Sequence, residues 1–299
     1  MSAANTSRIQ EAKQCIARAN EHLKTSTWKL KFKPEFDSAA MEYERAAVCY
    51  KNAEDLNSAL DCWEHASANH KSNRNHFHEA KAKENAASLA KDLNDNKKAA
   101  KLIQESCEGY VMAGSMDTAA MTIDKSAKWF EYSDPVTAIS MYEKGLALVQ
   151  QSDRSKMAGE FMNRLTNLYI RCENYKKAIE VVEQAIDQYV EARDALKVGQ
   201  LSMCIVLLHL AKGDEVAATI ALNPAYKFEG FEFSPEAKIC GNLIKAFEDG
   251  DDEAFQNALN NGLLKSLDND YLRLLKKLKA PRSELDNQAP GDEEDEGIC

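Results

Sequence analysis

At 299 residues, 44% of them hydrophobic, the chain is long enough to bury a full core. It holds no run of 18 apolar residues, so no membrane-spanning helix is expected. Net charge is −10 but unevenly spread. The last twenty residues carry seven acids and one base, a balance of −6 that leaves −4 on residues 1–279, while the first 36 residues carry +4. A basic head and an acidic tail suggest different partners at the two ends, and nucleic acid is not among them.

Residues 6–24 form a first helix, with Ile9, Ala12, Ile16, Ala19 and Leu23 on one stripe. No apolar leader core precedes it. A segment of different period follows at 25–36: Trp28, Leu30 and Phe32 alternate with Lys29, Lys31 and Lys33, and Pro34 stops any helix. Two readings are open. One is a loop that touches a bilayer, with apolar side chains inward and lysines on anionic headgroups. The other is an extended piece packed on the first hairpin, because half-buried strands alternate in the same way. Asp37 or Ser38 is expected to cap the next helix.

From Phe36 to about Ala192 the chain repeats. Alanine recurs at 39, 59, 80, 99, 119, 138, 158 and 178, in steps of 19–21 residues. Seven positions after each, the residue is again small, save at Leu165. Four positions after it stands Tyr43, Trp63, Ile103, Ile123, Tyr142, Met162 or Val182, with Glu84 breaking the row. These offsets share one helix face, and a small residue beside a large one lets two helix axes approach. Each period therefore reads as a helix plus a tight turn, and two periods as an αα-hairpin. Asn73–Asn75, Asn94–Asn96, Gly114-Ser115, Asp134-Pro135, Asp153 and Asn174 mark the turns.

After residue 193 the period weakens. Helices are expected at 195–211 and 215–222, followed by a loop bearing Tyr226, Phe228, Phe231 and Phe233, and by helices at 235–248, 252–260 and 263–279. The fold class read here is all-α: a right-handed α-solenoid of antiparallel, tetratricopeptide-like hairpins (1–194), then a C-terminal helical bundle (195–279). Residues 280–299 form an acidic tail that cannot bury enough to order itself.

Eight cysteines, none in a C-x-x-C pair, suit reduced buried thiols of a cytoplasmic protein. No nucleotide-binding, hydrolase-elbow or zinc-protease motif occurs, so no catalytic set, cofactor or metal is expected. His65, His70, His76 and His78 straddle a turn and read as surface and helix-end residues, with zinc binding as the sharper alternative. Lys125, Lys128, Arg164 and Arg171 are basic positions suited to a concave solenoid face. The acidic turn Glu248-Asp249-Gly250-Asp251-Asp252-Glu253 and the tail acids suit a basic partner surface.

With those residues in view, the chain resembles the soluble NSF attachment proteins (SNAPs), most closely the gamma type, over essentially its whole length. The marks are the Trp28–Phe36 loop leading into Asp37-Ser-Ala-Ala, Asp117-Thr-Ala-Ala-Met121, Leu267-Asp-Asn-Asp-Tyr271 and the Gly291-Asp-Glu-Glu-Asp295 tail. The resemblance implies an adaptor, not an enzyme. It grips the four-helix SNARE bundle, touches membrane peripherally through the loop, and recruits the ATPase NSF, which pulls SNAREs apart. By this resemblance Trp28 to Lys33 form the membrane loop and Arg164 matches a basic position on the SNARE-facing side, where Lys125, Lys128 and Arg171 are expected to join it. Asp214, Glu248, Asp249, Asp251, Asp252, Glu253, Asp292, Glu293, Glu294, Asp295 and Ile298 face NSF. Met121 stands where the alpha type has lysine. The free chain is expected to be a monomer, with several copies on one SNARE complex. The alternative is a generic tetratricopeptide-type scaffold for a linear peptide, with no ATPase-recruiting role.

Overall fold

The computed structural model describes residues 3–25, 32–151 and 155–281. Among these residues every regular element is helical, and no helix is long and apolar enough to cross a membrane. The chain divides into two compact units, Met1–Phe161 and Met162–Cys299.

The first unit is built from α1 (Ala3–Leu23), α2 (Phe36–Asn52), α3 (Leu56–Ser72), α4 (His76–Asp92), α5 (Asn96–Met112), α6 (Met116–Ala127), α7 (Pro135–Gln151) and the first part of α8 (Ser155–Arg171). From α1 to α7, each helix packs against the next. The alanine row explains why. All eight repeat alanines are buried, the most exposed at 2%. Six of the eight residues seven positions on, Ala46, Ala66, Ala87, Ser106, Ser126 and Leu165, are at most 1% exposed. Where the small residue is Gly145, a Cβ would stand 2.9 Å from the Phe161 ring and 3.0 Å from Ile123, a close approach that only glycine permits.

Seven of the turns share one design. A residue with left-handed backbone is followed by a side chain that caps the next helix. Glu54, Arg74, Asn94, Glu173 and Arg193 take positive φ without being glycine, and Gly213 and Gly250 take the same place elsewhere. The next residue, Asp55, Asn75, Asp95, Asn174, Asp194, Asp214 or Asp251, then accepts a backbone N–H three residues on. Gly114 is also left-handed, but Ser115 after it makes no side-chain cap bond. The start of α2 differs from the expected cap. Its N-cap is Glu35, which makes no side-chain cap bond, and Asp37 lies in the first turn. The Glu35 carboxylate is instead engaged with His22, 2.6 Å away.

In the second unit, α9 (Tyr175–Glu191) packs on α10 (Ala195–Ala211), the organising helix. Residues 202–210 of α10 are all buried, because α9, α11 (Glu215–Ile220), α12 (Pro235–Glu248) and α15 (Asn269–Leu275) all pack on it. The aromatic segment expected as a loop forms two 3-10 helices, Ala225–Lys227 and Phe231–Phe233, separated by left-handed Gly230. After α13 (Asp252–Leu259), the helix expected over 263–279 is broken into α14 (Gly262–Lys265) and α15. The break frees Asp268 to accept hydrogen bonds from Asn163 and Asn167, 105 and 101 residues away in sequence.

Seven free cysteines fall among the described residues. Burial pushes the Cys62, Cys107, Cys204 and Cys240 thiols up to about 12, which makes them inert packing groups.

Candidate partner-binding surfaces

The N-terminal loop is fastened at its base. Glu35 N–H donates to the His22 carbonyl at 3.0 Å, and the Glu35 carboxylate meets His22 Nδ1 at 2.6 Å. This joins the end of α1 to the start of α2. Trp28, Lys29, Leu30 and Lys31 lie outside the described residues. Phe32 is 70% exposed and Lys33 is also exposed. An uncovered aromatic ring beside a lysine gives this end of the loop an apolar and a cationic contact at once.

The basic positions fall into two groups. Lys125 and Lys128 sit at the C-terminal end of α6. Lys125 reaches Glu84 at 3.3 Å, and Lys128 reaches Asp124 at 2.7 Å one turn back. Both lysine side chains are exposed, at 64% and 42%, so their ion pairs are surface pairs that cost little to exchange for a partner's carboxylate. Arg164 and Arg171 share α8, two turns apart. Arg171 is only 21% exposed, and its guanidinium is held by the buried Asp270 carboxylate through bonds of 2.8 and 3.3 Å. Arg273 adds a third, at 3.3 Å. Arg171 is therefore a structural cation in this unit.

The acidic turn 248–253 joins α12 to α13, and its five acids are exposed. They are not equivalent. Asp251 caps α13 through Ala254 N–H at 2.9 Å, and Asp252 accepts Ala280 N–H at 3.0 Å. Asp214 caps α11 through Ala217 N–H at 2.9 Å. Glu248, Asp249 and Glu253 have no such backbone duty among the described residues, and they hold their charge outward. Asp292, Glu293, Glu294, Asp295 and Ile298 lie outside the described residues.

Sequence reasoning missed several features. Glu84, which breaks the apolar row, accepts the Tyr110 hydroxyl at 3.0 Å as well as Lys125, so it is a polar junction of α4, α5 and α6. A carboxylate on an otherwise apolar row was its signal. Val216 and Ile220, one turn apart on α11, are 63% and 61% exposed, and Phe233 is 86% exposed. Apolar groups so open mark a candidate contact surface in the same unit as the acidic turn. Met121 is also exposed, at 62%. His70 is not the surface residue expected. It is 2% exposed and lies 3.1 Å from Glu44, because α2, α3 and α4 meet there.

The Leu267–Tyr271 mark has a structural role. Asp268 and Asp270 tie α15 to α8, and Tyr271, 4% exposed, is buried on α15, which packs on α10. One short motif thus anchors the C-terminal end of the unit.

Comparison with known proteins agrees with these marks. The family model described as soluble NSF attachment protein, SNAP, matches residues 10–281. The gamma-soluble NSF attachment protein of Dictyostelium discoideum is 25% identical over 255 residues, covering 85% of this chain and 79% of that protein. The gamma-soluble NSF attachment protein of Arabidopsis thaliana is 24% identical over 239 residues, covering 79% of this chain and 81% of that one. An alpha-soluble NSF attachment protein from Vitis vinifera is 24% identical over 255 residues, with 84% and 86% covered. A family match that runs from within α1 past α15, on an all-helical chain of consecutive hairpins, settles the assignment: the chain belongs to the soluble NSF attachment proteins.

Proposed function

We propose that the chain is an adaptor that binds assembled SNARE complexes at a membrane and recruits NSF to take them apart after fusion. The observation that carries this reading is the family match over residues 10–281. The surfaces support it in three places. Exposed Phe32 and Lys33, above a base closed by His22 and Glu35, suit insertion at an anionic bilayer, with Trp28 and Leu30 adding apolar contact. Lys125, Lys128 and Arg164 offer cations to an acidic helical rod. Glu248, Asp249 and Glu253, with the tail acids, offer anions to a basic ATPase surface.

Such a protein works at the cytoplasmic face of membranes, bound peripherally. Several copies around one SNARE bundle, each also held by its loop, gain from effective concentration without any new contact. Chemistry belongs to NSF, and the chain itself needs no cofactor.

The test is disassembly of a preformed SNARE complex on liposomes with purified NSF and ATP. We expect release that depends on the chain, is lost on truncation after Pro290, and falls with the double change Trp28→Ser and Phe32→Ser. That double variant should keep the wild-type melting temperature. No release with any SNARE set, from a folded chain, would overturn the reading in favour of a peptide-binding scaffold.

A further inference from the structure

A cluster of metal-ligating side chains lies in the first unit, away from the surfaces above. Glu44 comes from the middle of α2, His70 from the last turn of α3 and His78 from the first turn of α4. One donor atom from each lies within 4.8 Å of the others. His70 Nε2 and Glu44 Oε1 stand 3.1 Å apart, and the His70 and His78 rings are 5.3 Å apart, tilted by 30°.

We propose that Glu44, His70 and His78 bind one divalent transition ion, zinc in the first instance. Two ligands on a tetrahedral zinc, with bonds of about 2.1 Å, stand roughly 3.4 Å apart, within a few tenths of an ångström of the 3.1 Å His70–Glu44 spacing. His78 is exposed and swings inward about its side-chain bonds to complete the third ligand. Two imidazoles and one carboxylate suit zinc, copper or nickel. Calcium and magnesium prefer all-oxygen shells.

A second observation points the same way. His70 is 2% exposed, yet its Nδ1 has no hydrogen-bond partner, and the Asp37 carboxylate lies 3.8 Å from it. With a proton on Nε2 donating to Glu44, Nδ1 is a buried lone pair facing a carboxylate, an unfavourable arrangement. A metal on Nε2 moves the proton to Nδ1. The ring then donates toward Asp37, which is 59% exposed and free to turn to it. This is the carboxylate–histidine–metal relay that orients ligating imidazoles.

The ligands come from three consecutive helices, so the ion pins α2, α3 and α4 together. Its fourth position faces solvent beside His78 and takes water. Because ligands are gathered only in the folded chain, binding adds to stability.

The test uses full-length, tag-free chain stripped with chelator and titrated with Zn²⁺ by calorimetry and thermal melting. Co²⁺ serves as a visible reporter of tetrahedral nitrogen and oxygen ligation. We expect one equivalent bound and a higher melting temperature. His78→Ala should weaken binding at least tenfold while the metal-free melt stays unchanged. Glu44→Gln should weaken it too, which keeps the test decisive if His78→Ala disturbs α4. Asp37→Asn should cost about tenfold through the relay. No bound equivalent, or binding untouched by His78→Ala and Glu44→Gln (as at an exposed thiol such as Cys172), would overturn the proposal.

Discussion

Arg171 on α8 and Asp270 on α15 are 99 residues apart in sequence and joined by two hydrogen bonds, the shorter 2.8 Å. Asp270 is 6% exposed, so its charge is tolerated only because Arg171 and Arg273 surround it. Arg171→Ala or Asp270→Ala should each cost about 3 kcal/mol in urea unfolding, because each takes the closest counter-charge from a poorly solvated group. The double variant should cost less than the sum. Lys125→Ala and Lys128→Ala should stay within about 0.5 kcal/mol. Loss of SNARE binding in those two variants would then report contact, whereas loss in Arg171→Ala would report folding.

His209, 8% exposed on α10, sets part of the acid response. Burial first, and the nearby Lys212 second, hold its pKa below the ordinary histidine value, against an opposing pull from Asp214. The unfolded chain therefore binds a proton more readily than the folded one, and stability falls as pH drops below about 6.5. Between pH 7.5 and 5.5, His209→Gln should lose less melting temperature than the wild type. Equal losses would mean the imidazole is solvated.

Two glycines in helices should respond oppositely to alanine. At Gly145 the new methyl meets Phe161, 1% exposed, so overpacking of roughly 1–3 kcal/mol outweighs the helix gain. At Gly241 on α12 nothing lies within 4 Å, and the substitution should stabilise by up to about 1 kcal/mol. Paired melts of Gly145→Ala and Gly241→Ala check both signs.

The acidic turn gives a salt prediction. NSF recruitment should weaken steeply between low and half-molar salt, since exposed charges are screened over about 10 Å at 0.1 M ionic strength. Glu248→Lys with Glu253→Lys should weaken recruitment and flatten that dependence without lowering the melt. These acids are preferred because Asp251 and Asp252 also hold backbone N–H groups. Recruitment indifferent to salt would remove the acidic turn from the interface.

The alanine period was legible because burial depends directly on it: Ala39, Ala59 and Ala80 are each 0% exposed, the points where helices approach. The turn read at Asn174 was likewise a local signal, and there the side chain caps α9. What was not legible depends on partners far along the chain. The break between α14 and α15 needs Asn163 and Asn167, and the missing cap at Glu35 needs His22. Glu44 meets His70, 26 residues on, only because α2 packs directly against α3. No window of sequence contains those encounters. Among the candidate surfaces, the sequence separated acids from bases but not Arg171, a buried tie, from Lys128, an open one.

The Asp268 and Asp270 tie also carries a temporal consequence. Helices α1 to α7 pack on their chain neighbours, so those contacts close over short loops, with little entropic delay. The tie from α15 to α8 spans about a hundred residues and exists only once nearly the whole chain has been made. On a ribosome, the contacts among α1 to α7 can form early, while Asn163, Asn167 and Arg171 wait for α15. A chain cut short before Asp268 leaves Asn163, Asn167 and Arg171 without these partners, so the latch of this unit is among the last contacts its synthesis permits.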